Sequence, residues 1–87
     1  MATPREVAEF MVEQMGDRYM YQESIVYGIR RKFGDEFVYR NANGNLAIDP
    51  KVLREFRKLT EGSVVWERGS RAWRPRRVSD RGGRQAD

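Results

Sequence analysis

The stretch VVWERGSRAWRPRR, residues Val64 to Arg77, decides how this chain is read. Val64 to Arg68 and Arg71 to Arg74 alternate bulky and charged residues, the pattern of two short strands. Gly69-Ser70 between them fits a two-residue hairpin turn with glycine first. That register sets Trp66 opposite Trp73 on one face, with Val64 and Pro75 beside them. A cross-strand aromatic pair adds roughly 0.2–1 kcal/mol over a small-residue pair. The other face carries Val65, Glu67, Ala72 and Arg74, with Glu67 diagonal to Arg74. A three-residue loop would break this register.

Working back from the hairpin, Asp49-Pro50 opens a helix over Pro50 to Leu59, with Asp49 as N-cap and proline at the first position. Val52, Leu53, Phe56 and Leu59 form its apolar face. At 100° per residue, Lys51, Arg54 and Lys58 fall within about 60° of one another, and Arg57 flanks them. Glu55 stands on the opposite border, spaced for an i,i+3 ion pair with Lys58. Upstream, Phe37 to Tyr39 and Leu46 to Ile48 are strand-like around an Asn-Gly turn signal, which predicts an additional small hairpin at 37–48 or two extended arms.

A second helix is expected from about Gln22 to Phe33, with Ile25, Val26, Ile29 and Phe33 inward. Gly28 sits inside it at about 1 kcal/mol relative to alanine, which a close helix crossing would explain. Its cations Arg30, Arg31 and Lys32 are followed directly by Asp35 and Glu36, a solvated charge cluster. Before it, Tyr19-Met20-Tyr21 suits a brief strand. The first helix opens with a capping box, Thr3 and Glu6 around Pro4. Val7, Ala8, Met11, Val12 and Met15 make its apolar stripe, with Phe10 at the edge, and Gly16 ends it. The fold class is therefore α+β, three helices with a C-terminal β-hairpin, in one domain over residues 1–76. From Arg77 onward apolar periodicity is lost, and 77–87 reads as a disordered tail in which Arg81 and Arg84 flank Gly82-Gly83.

Composition narrows the function. The chain has 87 residues with no cysteine and no histidine, so thiolate chemistry, disulfides and imidazole ligands are excluded. No phosphate-binding glycine loop occurs, and the serines have no evident base, so no catalytic residue, metal or cofactor is expected. Neither an apolar leader nor a run near the roughly 18 residues of a membrane span is present, which predicts a cytoplasmic protein without membrane contact. Residues 1–48 hold six Lys/Arg against seven Asp/Glu, whereas residues 49–87 hold eleven against six. The positive excess of the C-terminal half suits an anionic partner.

Three helices, a short strand between the first two, and a terminal hairpin together resemble the winged-helix variant of the helix-turn-helix. The likeness is one of element order, and residues 34–49 intervene where that family usually has a tight turn between its second and third helices. The chain also looks similar to small uncharacterised bacterial proteins of this pattern, a likeness that carries no assigned activity. The resemblance implies a recognition helix at Pro50 to Leu59 and a wing at Val64 to Arg76. DNA, or RNA less favourably, would then meet Lys51, Arg54, Arg57 and Lys58 on the helix and Arg68, Arg71 and Arg74 on the wing. The alternative is a protein-interaction module or homodimer using exposed tyrosines and Met20.

Overall fold

The computed structural model describes residues 2–76; the expected tail lies outside the described residues. The chain folds as α1 (Pro4–Met15), β1 (Met20–Tyr21), α2 (Gln22–Phe33), β2 (Val38–Arg40), β3 (Leu46–Ile48), α3 (Pro50–Leu59), β4 (Val64–Glu67) and β5 (Ala72–Pro75). This is an α+β architecture. A single 3-10 turn, Asp35–Phe37, stands where the strand signal at Phe37 begins.

The helix boundaries follow local chemistry. Thr3 Oγ1 accepts from the Glu6 backbone N at 3.2 Å, and Glu6 returns a carboxylate to the Thr3 N at 2.9 Å, so two orphan donors are satisfied reciprocally. Gly16 ends α1 at φ 57°. The Asp49 carboxylate accepts from the Lys51 N at 2.8 Å and starts α3. At its other end the buried Thr60 hydroxyl donates to the Phe56 carbonyl at 2.7 Å.

Val7, Ala8, Met11 and Met15 face inward as expected, but Val12 is 38% exposed. Phe10 takes the inward place on that side, its ring edge-on to Phe33 of α2 at 5.5 Å. The larger ring wins because a T-shaped aromatic pair buries more surface than a valine could there. Gly28 is likewise not explained by a close crossing. A Cβ there would lie 3.9 Å from Ile25 and from the Phe10 ring, ordinary contact with room to spare.

Between α2 and α3, β2 and β3 pair antiparallel, Val38 with Ile48 and Arg40 with Leu46. Their loop is organised by Asn41, whose side-chain oxygen accepts from the N of Asn43 and of Asn45, both at 3.0 Å. Gly44 supplies the positive φ of 79° the turn requires. The ribbon is anchored below by Phe37 and Ile48, both in the core.

A second, three-stranded sheet has the order β1-β5-β4, all antiparallel. Trp73 on the central strand stands between Met20 and Trp66, and one face of the sheet thereby closes the core. The two indole rings lie 4.7 Å apart, and Phe56 of α3 meets Trp73 edge-on at 5.3 Å. The register is the one read from sequence, but the turn differs. The chain reverses through four residues, Arg68–Arg71, and the left-handed residue is Arg71 (φ 53°) rather than Gly69. A four-residue loop preserves the pairing that a three-residue loop would have destroyed.

Candidate nucleic-acid interface

α3 buries Val52 and Phe56 and turns Lys51, Arg54, Arg57 and Lys58 to the exterior, all four exposed. Their environments differ. Lys58 Nζ lies 3.2 Å from Glu55. Glu55 is also reached by Arg5 of α1 at 3.5 Å, which ties the two helices together. The hydrogen bond from Lys58 holds the Glu55 carboxyl below its usual range despite an opposing desolvation effect, and Arg5 adds to it. Lys51, Arg54 and Arg57 have no side-chain ion pair with any described residue. They are held at helical spacing on a rigid, apolar-anchored element, where phosphate oxygens could reach them without breaking an internal pair. The strand ribbon between α2 and α3 leaves all four cations uncovered.

The hairpin treats its arginines unequally. Arg68 and Arg71 are exposed at the tip. The Arg71 carbonyl accepts from the Gln22 N at 3.1 Å, which fixes the tip against the start of α2. There Arg71 and Ser70 border a cleft of about 630 Å³ with Gln22, Tyr27 and Asn45, and no α3 residue lines it. The structure thus groups the four helix cations on α3 and sets Arg71 beside α2.

Arg74 is placed otherwise: the residue is 5% exposed and its Nε donates to Glu67 Oε2 at 2.9 Å. Its guanidinium braces the outer face of the sheet and is not part of an exposed surface. Glu67 is the hub of that brace. It also accepts from Tyr19 Oη at 3.2 Å and from the Ser70 hydroxyl through a short hydrogen bond. The Ser70 bond, followed by Arg74, pulls the Glu67 carboxyl below its ordinary range. The diagonal Glu67–Arg74 pair was legible from the hairpin register. Ser70, three residues on and across the turn, could have been read the same way. Tyr19, distant in sequence, offered no signal.

Elsewhere, Arg30 pairs with Asp35 at 2.9 Å, as the local charge cluster suggested. Lys32 instead lies over the rings of Phe10 and Phe33, at 5.6 and 5.7 Å. Tyr19, Tyr21, Tyr27 and Tyr39 are exposed, but Met20 is 6% exposed and belongs to the core, so it is no part of an exposed tyrosine patch. Among the described residues no group of three or more carboxylates is placed to hold a metal ion, and no helix is long and apolar enough to cross a membrane.

Fold and surface together define a small α+β domain with a basic third helix and a tryptophan-pinned terminal hairpin. Residues 3–75 match the model of a family of unknown function, DUF6953, and the chain belongs to that family. Neither the curated proteins nor the solved structures gave a match.

Proposed function

We propose that this domain binds nucleic acid, DNA in preference to RNA, in a winged-helix arrangement. Lys51, Arg54, Arg57 and Lys58 of α3 and Arg68 and Arg71 of the hairpin tip contact phosphates, while Arg74 serves the scaffold. The observation that carries the reading is the trio Lys51, Arg54 and Arg57, exposed and without ion pairs among the described residues on the outer face of one buried helix. The strand order supports it as well, because β1 joins the terminal hairpin to the helical body and so gives a wing a fixed base. Arg71 adds a third support. A non-glycine residue in the left-handed region is held there at a cost of about 1–2 kcal/mol, although a glycine stands two positions earlier. Such strain at an exposed cation fits a residue kept for its side chain.

Phosphate contacts predict affinity that falls steeply with salt. Fluorescence anisotropy with labelled random duplex and single-stranded DNA, at low and physiological salt, tests this. Arg54→Glu with Arg71→Glu should abolish binding. Salt-independent binding, or binding unchanged in the double variant, contradicts the proposal. The competing reading, a protein-interaction module or homodimer, draws on Tyr21, Tyr27 and Tyr39, each about half exposed. Sedimentation as a strict monomer across concentrations would remove its homodimer form.

A further inference from the structure

A second concavity lies away from α3, between α1, β1 and α2. This groove encloses about 510 Å³. Its deepest lining is apolar: Met20 and Ile25 are buried, with Phe10 and Gly28 half-buried beside them. Tyr19 and Tyr21 wall it, their rings 6.1 Å apart, and the bond from Tyr19 to Glu67 fixes one wall to the sheet. Arg31 and Lys32 edge the groove, and among the described residues no carboxylate lines it.

Gly28 is the feature the fold leaves unexplained. It sits in the middle of α2, has no positive φ, and a methyl group there would meet only ordinary contacts. Alanine would favour the helix, so neither backbone nor packing calls for glycine. What the glycine does provide is an open base to the groove. The charge is equally one-sided: Arg30 is paired with Asp35, whereas among the described residues Arg31 and Lys32 have no ion pair, and Lys32 lies over two aromatic rings.

We infer that this groove docks an acidic amphipathic segment of a partner protein. One apolar or aromatic side chain seats over Gly28 against Phe10, Met20 and Ile25, and carboxylates of the same segment meet Arg31 and Lys32. An apolar recess with a cationic edge is complementary to such a peptide. A nucleic-acid strand would place its phosphates well at the edge, but a base seated in the recess would bury donors and acceptors that Phe10, Met20 and Ile25 cannot pair. The inference does not depend on the α3 surface, since no α3 residue lines the groove.

The test is selection of a displayed random peptide library on the intact chain, followed by anisotropy of the enriched peptides. Enriched sequences should combine an aromatic or large aliphatic residue with flanking Asp or Glu, and their affinity should fall as salt rises. Gly28→Leu, which fills the recess, and Arg31→Glu with Lys32→Glu, which reverses the edge, should each weaken binding by about tenfold or more, as loss of one seated anchor does. Thermal melts establish that both variants are folded, and Gly28→Ala should melt higher than the wild type while still narrowing the groove. Arg54→Glu should leave peptide binding unchanged, which separates this site from the α3 surface. No enrichment, enrichment of neutral or basic peptides, or peptide binding that survives Gly28→Leu overturns the inference. So does a Gly28→Leu variant that loses oligonucleotide binding or self-association instead.

Discussion

α3 and the terminal hairpin look alike in sequence, each interleaving large apolar residues with arginine and lysine, yet the fold uses their cations differently. A helix separates the two kinds of residue by angle. Val52 and Phe56 go in, and Lys51, Arg54 and Arg57 stay out because none of the described elements crosses their side. The hairpin separates them only by alternate faces, and both faces of this sheet are largely covered. Trp73 fills the core face, and on the other Arg74 folds down onto Glu67. Only at the tip, where pairing stops, do Arg68 and Arg71 reach solvent. Arg74 thus becomes a brace because the Glu67 carboxylate stands within reach in the folded register, whereas the outer face of α3 keeps Arg54 and Arg57 in solvent.

Substitutions can break this contrast, beginning with the hairpin core. Trp73→Ala removes the ring that joins α3, β1 and β4, and should cost about 3–5 kcal/mol, a large part of the stability of a domain this size. Urea denaturation should show a collapsed midpoint. The two arginines come next. Arg74→Met should lower the urea midpoint clearly, whereas Arg54→Met should stay within about 0.5 kcal/mol of wild type. Equal effects would mean that the brace does not operate. Asp49→Ala should destabilise by about 1 kcal/mol through loss of the α3 cap, while leaving the four exterior cations of α3 in place. Arg71→Gly should move the other way in stability, by about 1 kcal/mol, because it relieves the left-handed strain. It should weaken nucleic-acid binding at the same time.

The smallest effect is in pH. Glu55 and Glu67 both titrate below their ordinary value in the folded chain. Depressed folded values stabilise the native state above the unfolded carboxylate pKa, about 4.3, and that contribution fades as pH falls through the lower folded values. Acid melts should therefore steepen below that point, and Glu67→Gln should flatten the trend.

The helices and both hairpins were legible because their signals are local. Thr3 and Glu6, Asp49 and Pro50, and Asn41 with Gly44 settle conformation within a few residues of themselves. The Trp66–Trp73 register was legible for the same reason. What escaped was decided by distant partners. Phe33 draws Phe10 inward in place of Val12, and Tyr19 completes the Glu67 cluster. Arg71, not Gly69, takes the positive φ, and its carbonyl is held by the start of α2. Of the candidate site, the four α3 cations could be read from helical angle alone. The burial of Arg74 needed the third dimension, although its partner was already in view.

The most direct measurement is the salt dependence of duplex affinity for the intact chain and for single variants. If the α3 face contacts phosphates, log affinity falls linearly with log salt, and Lys51→Ala or Arg54→Ala each lowers the slope by about one, while Arg74→Met leaves it unchanged. A slope that is flat, or that responds to Arg74 and not to Arg54, would contradict the division of labour between helix and hairpin.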